Sequence, residues 1–269
     1  MKNSAQYSRI PAGAQGGISS SREGQFLVKY WLLMLEVKHI SFSWGRTPIL
    51  NDVSFTVAPG ETVALAGANG AGKTTLLRIL AGVCFPTSGT VVGDTVDMLV
   101  APLRYRRLLG YLPESAVVEP GMTVKDYLKY RANLKGEMQK KIRHRVLEAM
   151  ELCGLFARAD ARVETLSQGF RKRVALAEAI LLRPRFLFLD DLLAGLDAET
   201  RHSVGRILRT VSSFAATVVS GHELDELQGL ATRFLVLKDG RLLGAKTAAG
   251  VRTVLMAVPS RTDGVEAGA

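Results

Sequence analysis

The chain is 269 residues long, 47% hydrophobic, and carries a formal net charge of +10 from 35 Lys and Arg against 25 Asp and Glu. The length suits one large or two small domains and the apolar content a full globular core. No apolar run reaches the ~18–20 residues that a membrane-spanning helix needs, and Cys84 and Cys153 are too far apart for metal-ligand spacing, so both read as reduced, buried or half-buried thiols of a cytosolic protein.

Residues 1–33 begin rich in Ser, Gly, Ala and Gln and are expected to be a disordered extension. The apolar stretch at its end, Phe26–Leu35, contains Lys29 and no small-residue cleavage site, so it is not read as a signal peptide. A first strand is expected at Leu35–Phe42 and an alternating one at Asp52–Val57, turned by Pro59-Gly60. Glu61–Ala66 is short, apolar and β-branched, and reads as a buried strand. It leads into GANGAGKTT, Gly67 to Thr75, and then into good helix formers closed by Gly82. From Thr123 the pattern turns helical. Thr123 can cap Val124–Leu134, and the basic run Lys140–Arg145 interleaves with Ile142, Val146, Leu147 and Met150 as an amphipathic helix with a solvated face. Strands return at Phe186–Asp190, Ala216–Ser220 and Arg233–Lys238, the last opening a hairpin through Asp239-Gly240. The expected organisation is one folded unit over residues 34–250, with a helical subdomain inserted at about 114–170 and a short tail over 251–269.

Strand, GxxxxGKT loop and helix in succession are the context of a P-loop, so the fold class expected is α/β with a P-loop NTPase core. The glycines let backbone N–H groups turn inward around an anion, and the helix N-terminus adds positive partial charge. Lys73 can reach the β and γ phosphates and the Thr74 hydroxyl can ligate Mg²⁺. Asp190, ending an apolar strand, is either a Mg²⁺-holding carboxylate or an ordinary strand-end Asp. In the stretch Leu166-Ser-Gln-Gly-Phe170, Ser167 can cap a helix whose Phe170, Val174, Ala177 and Leu181 share a face; Ser and Gly at a helix start also make a second anion cradle. The positive charge asks for an anionic neighbour, but no basic patch interleaved with aromatics stands out, so no nucleic-acid partner is expected.

Together these motifs resemble the ATP-binding subunit of an ABC transporter, over about residues 35 to 245. LSQGF resembles the family's signature motif, with Ser167, Gln168 and Gly169. Trp44 stands where the family places an aromatic that stacks on adenine, and Glu114 at the Q-loop position. Ala194 to Asp197 matches the D-loop, and His222 the switch histidine. The resemblance implies a mixed sheet with an antiparallel β subdomain and an inserted α-helical subdomain. It also implies ATP and Mg²⁺ as ligands, bound by Trp44, Gly67, Asn69, Gly70, Gly72, Lys73, Thr74 and Thr75, with Thr74, Asp190 and Glu114 on the metal. Asp191, His222 and Glu114 would act in hydrolysis. The implied partners are a second ATPase subunit, joined head to tail as an ATP-dependent homodimer, and a separate transmembrane permease, which places the chain peripherally on the cytoplasmic face of the membrane. The stretch YLPESAVVEPGMTVKDYLKYRANLKG resembles ATPases of the exporter type.

Three residues depart from the family pattern: Asp191 where Glu is usual, Leu192 where Pro is usual, and Glu114 where Gln is usual. The first leaves open an ATP-binding regulatory subunit with little hydrolysis. A soluble ABC protein outside transport is a further alternative, against which stand one P-loop, one signature and no sustained heptads. A P-loop kinase or GTPase would lack the signature.

Overall fold

A computed structural model describes residues 34–115, 119, 121–221 and 227–245. The expectations for residues 1–33, 246–269 and His222 fall outside the described residues. The elements in chain order begin with β1 (Leu35–Trp44), β2 (Thr47–Val57), β3 (Thr62–Ala66), α1 (Lys73–Leu80), β4 (Ser88–Gly93), β5 (Val96–Asp97), α2 (Pro102–Arg106) and β6 (Leu109–Leu112). They continue with α3 (Val124–Leu134), α4 (Gln139–Leu152), α5 (Gln168–Ile180), β7 (Phe186–Leu189), α6 (Ala198–Ser212), β8 (Ala216–Ser220), β9 (Arg233–Lys238) and β10 (Arg241–Ala245).

These strands form two sheets. One is antiparallel, in the order β2-β1-β4-β5; the other runs β10-β9-β3-β8-β7-β6 and is parallel except for β10. Every residue of β3, β7 and β8 is buried, as expected of parallel strands covered on both faces. Alternation then sorts the side chains. Val63, Leu65, Phe186, Phe188 and Val218 point into a core shared with α1 and the antiparallel sheet. Ala64, Ala66, Leu187, Leu189 and Val219 point into a second core with α3 to α6. The β9–β10 hairpin turns at Asp239 and Gly240, both at positive φ (48° and 72°), which suits the two-residue turn read from the sequence. Its tip holds the two sheets together: the Asn51 N–H donates to the Gly240 carbonyl at 2.8 Å, and a Cβ on Gly240 would lie 2.3 Å from the Ile49 carbonyl.

Thr123 caps α3 as expected, its hydroxyl accepting from the Asp126 N–H at 3.2 Å. In α4 the buried stripe is Ile142, Val146, Ala149 and Met150, while Leu147 is exposed. Leu147 sits about 100° around the helix from Val146, so Ala149 takes the place on the buried face that the sequence reading gave to Leu147. The three helices α3, α4 and α5 pack together, and Glu178 of α5 ties α3 to it. Tyr127 donates to Glu178 Oε2 at 2.5 Å, Arg131 donates twice to Oε1, and the Lys135 ammonium donates to the Glu178 carbonyl at 2.7 Å.

Burial alone would raise the Glu178 pKa, but Lys135, Tyr127 and Arg131 outweigh it and hold the carboxyl below its ordinary 4.5. A depressed folded pKa means the stabilisation is fully present above that ordinary value and is lost as pH falls through the lower folded one. Glu178→Gln should therefore be less stable than the parent at neutral pH by about 2–3 kcal/mol, having left two cations half-buried without their counter-charge. The gap should narrow in acid. Urea denaturation at neutral and acidic pH checks both statements; a gap that stays constant would remove Glu178 from the acid dependence.

Candidate functional site

Parallel pairing brings the carboxyl ends of β3, β7 and β8 to one edge, with Leu65 opposite Ser220 and Leu189 opposite Val219. The segments that leave these ends carry Gly67, Asp190 and Ser220. A cleft of about 460 Å³ opens there, within the range of small-molecule sites. Its lining brings together Trp44, Asn69, Gly70, Gly72, Lys73, Thr74, Thr75, Glu114, Asp190 and Asp191, along with Ile49 and Ser220.

The loop before α1 is shaped by its glycines. Gly67 and Gly72 have φ of 156° and 103°, and Gly72 is the left-handed N-cap of α1. A Cβ on Gly67 would meet the Leu237 carbonyl oxygen at 2.2 Å, so only glycine lets the loop pass β9. Gly70 (φ 77°), which lines the cleft, has nothing within 4 Å of where a Cβ would be. The Lys73 ammonium donates to the carbonyls of Gly67 at 2.7 Å and Ala68 at 3.0 Å. Burial pulls the Lys73 pKa below the usual lysine value, while Asp191, Asp190 and Glu114 pull it back up.

Asp190 is 2% exposed. Its Oδ1 accepts from Ser220 Oγ at 2.7 Å and from Thr74 Oγ1 at 3.3 Å, whereas Oδ2 is buried with no hydrogen-bond partner. Burying a charged oxygen unpaired is costly, so this one is poised for a ligand. Asp191 follows with φ 49°, a left-handed conformation that Asp tolerates better than most residues. Its N–H donates to Ser220 Oγ at 2.9 Å. The Lys172 ammonium, reaching across from α5, donates to the carbonyls of Asp191 (3.4 Å), Leu192 (2.9 Å) and Ala194 (2.5 Å).

Ser220 and Lys172 were not singled out from the sequence. Ser220 was legible only as the last residue of an expected strand, whose place beside the Asp190 strand the structure supplies; Lys172 carried no signal, because its partners are backbone atoms of a distant loop. Ser167, Gln168 and Gly169 stand apart from the cleft, at the start of α5. Ser167 caps that helix through the Phe170 N–H at 3.4 Å, Gln168 lies against Gly195, and a Cβ on Gly169 would come within 2.8 Å of Thr200. Trp44 stands 57% exposed at the cleft, edge-on to Phe42 with centroids 5.0 Å apart. Gly67→Ala should cost about 2–4 kcal/mol by forcing the loop off β9, and Gly70→Ala only about 1–2 kcal/mol from its left-handed backbone. Thermal melts of the two variants check the contrast, and equal losses would contradict the close approach at Gly67.

The ABC transporter family profile matches residues 50–194. An uncharacterised ABC transporter ATP-binding protein of Bacillus subtilis is 34% identical over 209 residues, covering 78% of this chain and 69% of its own. A Nod factor export ATP-binding protein of Paraburkholderia xenovorans is 33% identical over 235 residues, 86% of this chain and 75% of its own. An Fe(3+) ions import ATP-binding protein of Rhizobium etli is 33% identical over 213 residues, 78% and 60%. A solved ATP-binding subunit of an ABC transporter matches the fold with a TM-score of 0.73 at 28% identity, over 83% of this chain and 93% of that one. Among the described residues no helix is long and apolar enough to cross a membrane. With its fold and sequence both matching, the chain belongs to the ABC transporter family as one of its ATP-binding subunits, the ATPases that power transport.

Proposed function

We propose that the chain binds Mg²⁺–ATP in this cleft and hydrolyses it, as one of two copies that clasp nucleotide head to tail and drive a separate transmembrane permease. The observation that carries the reading is the meeting, in one cleft, of an anion-cradling loop, a lysine, and a buried carboxylate with one unpartnered oxygen. The loop amides of Gly67, Asn69, Gly70 and Gly72 and the Lys73 ammonium hold the phosphates, with Thr75 beside them, and Trp44 stacks on the adenine. Three carboxylates face a single ammonium here, which fits a divalent cation held by Thr74, Asp190 and Glu114. When bound, Mg²⁺ neutralises phosphate charge. Asp191 takes the proton as the oxygen of a water bonds to the γ phosphorus and the bond to the ADP oxygen breaks, with Glu114 and His222 completing the γ-phosphate end of the site.

Ser167, Gln168 and Gly169 lie outside the cleft of their own chain, which favours their acting on the nucleotide of a second copy. Ser167→Arg should then abolish ATP-dependent dimers without unfolding the monomer. Sedimentation with a non-hydrolysing variant checks this, and equal dimer in mutant and parent would contradict it. In this reading residues 34–250 are the ATPase domain, the helices within about 114–170 meet the permease, residues 1–33 and 251–269 are appendages, and the assembly sits on the cytoplasmic face of the membrane. Export is the direction proposed, from the stretch after Tyr111. The relatives support both directions by name, so that stretch carries the choice.

Asp191 is one methylene shorter than the family's usual Glu. A shortfall of about 1 Å in positioning costs on the order of 100-fold in rate, and general-base help is worth about 10²–10⁴-fold. Basal hydrolysis is therefore slow and the ATP-bound pair long-lived. Asp191→Glu should raise kcat despite a less favourable left-handed backbone, and Asp191→Asn should lower it further, with ATP affinity nearly unchanged in both. Steady-state kinetics check this. An Asn variant as active as the parent would instead favour an ATP-binding subunit with little hydrolysis.

A further inference from the structure

We infer that Ser220 is a positioning residue that sets the orientation of both site carboxylates through a single hydroxyl. The inference rests on the reading above for Asp190 and Asp191 and adds the group that aligns them. Ser220 is 2% exposed at the carboxyl end of β8. A hydroxyl has one proton and two lone pairs. Here the proton goes to Asp190 Oδ1 at 2.7 Å, and a lone pair receives the Asp191 N–H at 2.9 Å. With donor and acceptor both committed, the hydroxyl has one orientation, and two consequences follow.

First, Asp190 is fixed about its side-chain torsions with Oδ1 turned to the serine and to Thr74, which leaves Oδ2 as the buried oxygen with its acceptor capacity unused. Second, the peptide N–H of Asp191 is held at the strand end just where the chain enters a left-handed turn at φ 49°, which fixes the direction in which the Asp191 side chain leaves the backbone. The Lys172 ammonium holds the other side of the same peptide run through the Asp191 and Leu192 carbonyls. Ser220 and Lys172 thus grip the Asp191 backbone from opposite ends, the serine alone reaching Asp190 as well.

The test compares Ser220→Ala, Ser220→Thr and the double variant Ser220→Ala/Asp191→Asn with the parent. It measures kcat and KM for ATP, calorimetric ATP affinity with and without Mg²⁺, and thermal stability. Ser220→Ala should lower kcat about 10-fold or more, as expected for a misplaced carboxylate. It should also reduce the gain in ATP affinity that Mg²⁺ provides, leave metal-free ATP affinity as in the parent, and fold. Ser220→Thr, which keeps the hydroxyl, should recover most of both losses. Ser220→Ala should cost less rate in the Asp191→Asn background than in the parent, because the part of its effect that runs through the Asp191 carboxylate is already gone. Parent-like kcat and Mg²⁺ gain in Ser220→Ala overturn the inference, as does a uniform loss of stability and metal-free affinity that Thr does not repair, because that pattern is structural. If Asp191→Asn alone keeps the parent rate, the role given to Asp191 fails on its own. In that event a reduced Mg²⁺ gain in Ser220→Ala still upholds the serine's hold on Asp190, and an unchanged gain removes it.

Discussion

Parallel pairing of β3, β7 and β8 is the constraint on which the rest of the structure depends. Because the strands run the same way and in close register, their carboxyl ends come to one edge, and three segments far apart in sequence leave the sheet side by side. Ligands of open α/β sheets gather at such an edge for this reason. The two ends of the same strands are treated differently. At the amino end the buried hydroxyls satisfy one another, Thr62 donating to Ser212 at 2.7 Å and Ser212 lying 3.4 Å from Thr217. At the carboxyl end an Asp190 oxygen is left without a partner. One end is closed for stability, and the other keeps an unused acceptor on a residue that lines the cleft.

The two cores on either side of the parallel sheet divide the work. The Phe186 and Phe188 side packs α1 and the antiparallel sheet against the strands, on either side of the 67–72 loop in sequence. The Leu187 and Leu189 side supports the helices that carry the signature residues. Phe170 in α5 belongs to this second core only at its margin, and the guanidinium groups of Arg158 and Arg173 lie 5.6 and 5.2 Å from its ring centre, so its exposed faces are covered by cations.

Much of this was legible in the sequence, for physical reasons that differ by element. Gly67 announces itself because no other residue fits where a Cβ would strike the Leu237 carbonyl, and Gly70 and Gly72 because their backbones are left-handed. Thr123, Ser167 and the Asp239-Gly240 turn are local rules written in adjacent residues. The strand β2 begins at Thr47, earlier than alternation suggested, because pairing with β1 across the Gly45-Arg46 turn extends it. The short elements β5, α2 and β6 were not read, being too brief for any period to show. The long helix α6 was legible but passed over: Asp197 caps it through the Thr200 N–H at 2.8 Å, and Val204, Ile207, Leu208 and Val211 mark its buried face. The site's motif residues could be named one by one, but their partners could not. The Ser220 hydroxyl and the Lys172 ammonium act on groups that become neighbours only once the sheet has formed.

The three hydrogen bonds of Lys172 also bear on how the chain tolerates insertion and deletion. They join a helix to a loop some twenty positions away by the reach of one side chain. An α-helix turns about 100° per residue, so a single residue gained or lost between Ser167 and Lys172 would swing the ammonium off the loop altogether. A change of length between Asp191 and Ala194 would move the carbonyls out from under it. Both segments are therefore locked in length to one another, whereas the turn at Gly136, just past the Lys135 that bonds α5, has nothing within 4 Å of where a Cβ would be and is the more permissive place for the chain to grow.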